Sequence, residues 1–479
     1  MFNEQLLLTA VLAPTAGSVL LLLAAGAVRL RNALAIALVC VALACSLAMI
    51  PTVVTGKAIT VGHWPGLGVP CAFNADGLAV FTACVSSLVS AVVIVYSLGY
   101  IRSYPCQNEY YFMVVLFLGA MMGLVFSANL LLLYVFWEIT AVASWRLIGF
   151  FRQELHVRRA DKAFLVTGFG AVAMLLGFVV LYAQTGSCDL ATIGAKLGGQ
   201  AVPDLVVALI LMGILSKSAT LPFHTWLPDA GVAPAPVTAL LHAAVLVKIG
   251  VYVFARLFVV SLPIDQIWQT AVLVVAAASA LVSAAAALVD TDLKRIIAYS
   301  TISQIAFIFL GFASGSPMGA AGGLLYILMH GLAKGGLFLC AGIVEQGTHL
   351  KDIRQMGGLI RTMPVTAISF LFCAFSVMGI PPFGGFFSKY MVLGGAVHGG
   401  HLWIALTFLV GAFLTILYLL RVFYTVFLGD IGTPAKEGSP VMVACVALLA
   451  GLSLMSGLII GPPVQLAQTA MRHMLGFMK

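Results

Sequence analysis

The chain has 479 residues, of which 62% are hydrophobic and 8% charged, with a net charge of +8 and a mean hydropathy of +1.12. An average soluble chain carries roughly 25% charged residues, so this composition excludes a soluble globule and requires a polytopic membrane protein. The positive excess is spread over short loops, which leaves a nucleic-acid partner no concentrated basic patch to bind.

Apolar stretches long enough for a membrane-crossing helix of about 20 residues recur at 6–28, 32–55, 77–97, 110–128, 130–150, 161–183, 203–222, 236–257, 267–289, 295–313, 318–345, 364–398, 402–428 and 440–461. They predict an all-α integral membrane protein of about 14 transmembrane helices in a single membrane domain, 1–479. Glu4 precedes the first stretch and no basic n-region is present, so that stretch is expected to be retained rather than cleaved as a signal peptide. Loops on one side hold Arg29, Arg31, Arg102, Arg152, Arg158, Arg159, Lys162, Lys294, Arg295, Lys351, Arg354, Arg361 and Lys436, against Lys57, Lys196, Arg472 and Lys479 opposite. By the positive-inside rule the richer side is cytoplasmic and both termini face out. The longest loops, about 56–76 and 184–203, have room for a small hairpin or amphipathic piece.

Charges inside these stretches carry the functional signal, since one charged group at mid-membrane costs about 2.5 to 3.5 kcal/mol. At the outer start of the third stretch, Asp76 is read as a helix N-cap in preference to an exit carboxylate. The fifth holds Glu138, in Phe136-Trp-Glu138-Ile-Thr, the one acidic residue of 16 that lies deep in a span. Two partners compete for it. Arg146 lies eight residues on and about 80° around the helix, and Lys217 lies in the seventh stretch. That stretch reads Gly213-Ile-Leu-Ser-Lys217-Ser-Ala-Thr-Leu-Pro222-Phe, and the twelfth reads Gly379-Ile-Pro381-Pro382-Phe-Gly-Gly-Phe-Phe-Ser-Lys389. Each joins a buried lysine to a proline that removes a backbone donor, so both helices are expected to be broken and to line a polar cavity.

In the eighth stretch His242 and Lys248 are six residues, or about 240°, apart and face different neighbours, so His242 is either an accessory group or a hydrogen-bonded packing residue. Lys294 opens the tenth as an interfacial anchor with local ion pairs or as an accessory relay residue. His330 and Lys334 share one face of the eleventh, and Lys389 has no carboxylate in its own span, as a terminal station would. The two breaks lie five spans apart, an odd shift that reverses direction across the membrane. Spans 4–8 (about 110–257) and 9–13 (about 267–428) therefore read as inverted five-helix repeats with helices 7 and 12 broken. The buried series reads as stations on a proton or cation route.

None of the nine cysteines forms a C-x-x-C pair, and neither a Walker A sequence nor a G-x-G-x-x-G turn occurs, so no cofactor or metal is expected in this chain. Cys71 and Cys188 share the outer side and are read as two unpaired loop cysteines in preference to a disulfide.

Five strings, Phe136–Thr140, Leu215–Ala230, Leu240–Tyr252, Asp292–Gln304 and Pro381–Lys389, together resemble the antiporter-like subunits of respiratory complex I, membrane-bound nickel-iron hydrogenases and Mrp sodium/proton antiporters. The resemblance covers spans 3 to 13. It implies a proton-translocating subunit with a hydrated axis of charged residues, in which Glu138 and Lys217 form the glutamate–lysine pair. Lys248 would then be the central relay residue, His330 and Lys334 the connecting groups, and Lys389 the terminal one. The implied partners are further antiporter-like subunits and a redox arm that holds all the redox chemistry, in what is expected to be a prokaryotic cytoplasmic membrane. The alternative is an Mrp-type sodium/proton exchanger without a redox arm. A scaffold whose buried charges merely hold helices together is the third reading. Arg146 stands where family members carry an apolar residue, which opens the charge balance around Glu138. The chain stops soon after the fourteenth stretch, as the shorter relatives without a lateral helix do.

Overall fold

In hydrocarbon a backbone amide finds partners only within its own helix or a closed sheet, and the long apolar stretches of this chain form helices. The structure, a computed structural model, describes residues 2–62, 72–430, 432 and 435–476. The first half comprises α1 (Phe2–Leu23), α2 (Val28–Val54), an antiparallel pair β1 (Ile59–Val61) and β2 (Phe73–Ala75), α3 (Gly77–Tyr100), α4 (Gln107–Phe126), α5 (Leu130–Ile148), α6 (Glu154–Thr185), the short α7 (Leu190–Leu197), α8 (Asp204–Lys217), α9 (Trp226–Asp229), α10 (Ala235–Ala239) and α11 (Leu246–Phe254). The second half comprises α12 (Gln266–Val289), α13 (Leu293–Ala313), α14 (Pro317–Thr348), α15 (Pro364–Met378), α16 (Gly384–His398), α17 (Leu402–Phe427), α18 (Pro440–Leu458) and α19 (Gly461–Met474). The hairpin and α7 occupy the two longest loops, which have the room for such pieces.

Among the described residues, 12 helical stretches are long and apolar enough to cross a membrane, counting Ala235–Ser261 as one. The two proline-bearing segments stand outside that group because they are discontinuous. Between α8 and α9 the chain turns through 218–225, and between α15 and α16 it turns through 379–383. Each turn contains a cis peptide bond, Leu221–Pro222 and Pro381–Pro382. Helix α6 starts at Glu154 rather than near 161, because its first turns are polar and carry the Glu154–Arg158 pair. Beyond α18, α19 adds a helix with an apolar face and polar residues opposite, which a hydropathy reading passes over.

Burial separates core from periphery. The most apolar windows of α13 and α14 are 94% buried, whereas those of α1, α2 and α17 are 33% buried and leave most of their surface uncovered by the chain. Because lipid is as apolar as leucine, helices here associate through close packing of small residues. A Cβ on Gly322 of α14 would stand 2.7 Å from the Val392 amide nitrogen of α16, a distance only glycine permits.

Polar residues set the helix starts. Asp76 caps α3 by accepting from the Ala79 amide, Asn129 caps α5, and Asp292 caps α13. Two backbone bridges of identical form accompany the last two caps: Leu130 N donates to Cys188 O and Leu190 N to Ala128 O, while Leu293 N donates to Lys351 O and Ile353 N to Thr291 O. The bridged pairs Asn129–Asp189 and Asp292–Asp352 stand 163 residues apart (292 − 129, 352 − 189). Cys71 lies outside the described residues; the eight cysteines within them, Cys188 included, are free.

Candidate functional site

The seventh-stretch break determines where Lys217 sits. Lys217 is the last residue of α8, fully buried, with its Nζ donating to the Trp137 carbonyl at 3.2 Å and lying 5.1 Å from the centre of the Trp137 ring. The groups freed by the break are taken up within the segment and by α12. Leu221 N donates to Ser279 Oγ at 3.0 Å, Thr220 N to Leu215 O at 3.0 Å, and Trp226 Nε1 to Ser216 O at 3.0 Å. Glu138 follows Trp137 directly and interacts electrostatically with Lys217, but the two do not form an ion pair within 4.0 Å. One Glu138 carboxylate oxygen is buried without a hydrogen-bond partner, and Tyr134, one turn earlier, engages the side chain.

Arg146 does not compete for Glu138. It binds Glu109 at the start of α4, where Arg152 joins it at 2.6 Å. Arg146 sits in the last turn of α5, so its long side chain reaches the end of the neighbouring helix and not Glu138.

Lys248 is fully buried where its helix is irregular. A π-helical turn spans Leu240–Ala244, and Lys248 Nζ donates to the Ala243 carbonyl of that turn and to the Ile327 carbonyl of α14 at 3.0 Å. His242 points elsewhere: its ring lies 4.4 Å from that of Phe338, and neither ring nitrogen has a partner among the described residues, so the hydrogen bond expected of a packing residue is not made. His330 is likewise buried with both ring nitrogens unpartnered, and it interacts electrostatically with Lys248, Lys334, His242 and Lys389.

Lys334 donates to Ile297 O at 3.1 Å and to Ser300 Oγ at 2.5 Å, and the Tyr418 hydroxyl donates to the same Ser300 oxygen at 2.6 Å. Lys389 donates to the Val377 carbonyl at 2.7 Å, one of the orphan carbonyls at the end of α15, and sits 4.6 Å above the Phe307 ring and 5.8 Å from the Tyr326 ring. Tyr326 in turn donates to Gln304 Oε1 at 2.5 Å, and Gln304 Nε2 donates to Thr415 Oγ1 at 3.1 Å. Lys294 is paired instead, with Glu345 at 2.8 Å and the Ala233 carbonyl at 2.9 Å, which is the anchor arrangement.

Gln304, Ser300, Tyr326 and Tyr418 join the site without a signal in the sequence beyond being polar in apolar helices. The sequence also hides two ion-pair clusters at helix ends. Asp229, after the first break, holds Lys162 at 2.7 Å and Arg295 at 2.8 Å. Burial pushes its carboxyl up, but the two cations together hold it below the usual carboxylate range. Asp76 receives Arg256 of the Ala235–Ser261 stretch, and here too the guanidinium outweighs burial and lowers the carboxyl.

The model of the NADH:quinone oxidoreductase/Mrp antiporter transmembrane family matches residues 127–415, which include every buried lysine above. The chain is 35% identical over 387 residues to NAD(P)H-quinone oxidoreductase chain 5 of Synechocystis sp., covering 76% of this chain and 56% of that protein. It is 37% identical over 351 residues to an Na(+)/H(+) antiporter subunit of Alkalihalophilus pseudofirmus, covering 69% and 44%. The chain thus spans about half the length of these curated relatives. Its fold matches a chain of the Mrp complex from Dietzia sp. DQ12-45-1b with a TM-score of 0.90 at 24% identity, over 99% of this chain and 98% of that one.

Proposed function

Because this chain belongs to the NADH:quinone oxidoreductase/Mrp antiporter transmembrane family, we propose that it is a proton-translocating, antiporter-like subunit of a redox-driven multi-subunit membrane complex. One observation carries the reading. Lys217, Lys248, Lys334 and Lys389 are buried, donate only to backbone carbonyls or a hydroxyl, and have no carboxylate within 4.0 Å among the described residues. A structural lysine in lipid would be neutralised by a fixed acid, as Lys294 is by Glu345. A lysine that must gain and lose a proton is better served by neutral acceptors and a movable acid.

Glu138 is that acid. Its proximity to Lys217 favours the ammonium form, and a shift that separates them releases the proton toward Lys248. His330, with two free ring nitrogens, can accept from one lysine and donate to the next, and Lys334 and Lys389 complete the route. The redox reaction, and all cofactors, belong to partner subunits in this reading.

The finer architecture is part of the proposal. Adding the two discontinuous segments to the 12 continuous ones gives 14 crossings, 12 + 2. The twin bridges at Asn129–Asp189 and Asp292–Asp352 support two repeats, 110–257 and 267–428, in opposite orientation within one membrane domain. The basic loops support a cytoplasmic membrane with both termini outside.

Kinship with Mrp subunits favours a second reading, sodium/proton exchange without a redox arm. Sodium-dependent proton flux in vesicles holding transport subunits alone supports exchange; co-purification with an electron-transferring arm supports the redox-driven complex. For either, Lys217→Ala is expected to abolish proton movement by the assembled complex, and undiminished movement sinks the relay.

A further inference from the structure

Between β2, α7 and the end of Ala235–Ser261 lies a cavity of about 300 Å³, lined by Asn74, Asp76, Ser127, Asp189, Arg256 and Ser261 among others. That volume holds several waters, and the buried Asn74 Oδ1 on its wall has no protein partner. Arg256, 6% exposed, grips Asp76 through two bonds of 2.5 and 2.7 Å and donates to the Tyr252 hydroxyl at 2.9 and 3.1 Å. Tyr252 donates in turn to the Val125 carbonyl.

Lys248, Tyr252 and Arg256 follow one another at four-residue steps on a single helix, a spacing that keeps them on one side. One helical stretch therefore carries the central buried lysine, whose nitrogen donates to the Ala243 and Ile327 carbonyls, and two turns on the arginine that lines a polar cavity. A buried ion pair is weak evidence of stabilisation, since desolvation offsets much of its attraction.

We propose that this cavity is an aqueous port through which Lys248 exchanges protons with the side of the membrane bearing Asp76 and Asp189, and that the Asp76–Arg256 pair gates it. The proposal rests on the relay reading of Lys248. With the guanidinium displaced, water enters from the cavity toward Lys248; an N–H bond at Lys248 Nζ then breaks, and the proton passes along that water to form an O–H bond on Asp76. That O–H bond then breaks to cavity water, leaving hydronium there and a carboxylate that Arg256 recaptures. When paired, the fixed guanidinium charge repels incoming protons and prevents return. Asp189 is engaged in capping α7 through Thr192, and His473 and Tyr252 are further titratable neighbours of Asp76 among the described residues.

The test uses the assembled complex in sealed vesicles. Asp76→Asn removes the charge but keeps an N-cap for α3, so the complex is expected to assemble and to lose proton flux by about a hundredfold, the scale of a positioned proton-transfer group, with Asp76→Glu restoring most of it. Arg256→Gln is expected to leave a proton leak. A membrane-impermeant thiol reagent added from the cavity side is expected to block flux in Ser261→Cys and not in the unsubstituted chain. Flux within about twofold of wild type in assembled Asp76→Asn overturns the port. If Asp76→Asn does not assemble, the Ser261→Cys measurement decides, and flux unchanged by the reagent overturns it. Lys217→Ala separates the two claims: loss of flux there with full flux in Asp76→Asn ends the port and leaves the relay standing.

Discussion

Gly331 offers a way to disturb Lys248 without touching its charge. A Cβ on Gly331 would stand 2.8 Å from Lys248 Nζ, 3.1 Å from Val85 Cγ1 and 3.4 Å from the Ala243 carbonyl. The first distance is below any real contact, so in Gly331→Ala the ammonium end must move. It is the free end of a flexible side chain, so the helix packing survives, but the nitrogen has to weaken its bonds to Ala243 O and Ile327 O. A hydrogen bond to a charged group contributes about 1.5 to 3 kcal/mol, and each 1.4 kcal/mol is a factor of ten in a rate or population, so proton flux is expected to fall by about ten- to a hundredfold. Gly335→Ala is the matched control, because its Cβ would meet Val89 and Leu449 methyls at 3.3 and 3.4 Å and not the lysine nitrogen. The assay is acidification or alkalinisation of vesicles containing the assembled complex, with assembly checked by co-purification. Equal flux in Gly331→Ala and Gly335→Ala would refute the placement of Lys248 on the route.

Arg146→Ala is expected to leave proton flux within about twofold of wild type and to change stability by no more than about 1 kcal/mol, since its half-exposed pair with Glu109 lies away from Glu138; a large loss of flux, measured in the same vesicles, returns Arg146 to the site. Gln304→Leu leaves the buried Tyr326 hydroxyl without its acceptor, a loss of about 1 to 3 kcal/mol, and adding Tyr326→Phe is expected to recover most of the thermal stability of the solubilised complex; no recovery refutes the pairing. Asp229 has a depressed carboxyl, so its contribution to stability is present above the unfolded value of about 3.9 and is lost as pH falls through the lower folded value. Asp229→Asn is therefore expected to lower the unfolding temperature at neutral pH and to flatten its acid dependence, and an unchanged acid dependence contradicts the clamp with Lys162 and Arg295.

What the sequence makes legible is local. Hydropathy locates the spans, proline locates the two breaks, and a lysine among leucines announces itself because lipid penalises it. The end of α8 at Lys217 and the gap before α16 follow from those signals alone. Partnerships across long separations stay hidden. The sequence sets Arg146 against Glu138, eight residues away on its own helix, yet its partner Glu109 lies 37 residues back on another helix. Asp76 is legible as a cap, whereas Arg256, 180 residues on, is not legible as its partner. Gln304 and Ser300 sit among apolar residues with no periodicity that singles them out, and only packing against α14 and α17 gives them neighbours. The π-helical turn that aims the Ala243 carbonyl at Lys248 has no signature in Leu240–Ala244.

The central claim is that the buried lysines carry protons rather than merely hold helices. Lys389 tests it most directly, because among the described residues its one hydrogen bond is to the Val377 carbonyl and no carboxylate pairs with it. In vesicles containing the assembled complex, driven proton movement should disappear in Lys389→Ala while the complex purifies with all its subunits. Proton movement at the wild-type rate in that variant would contradict the account.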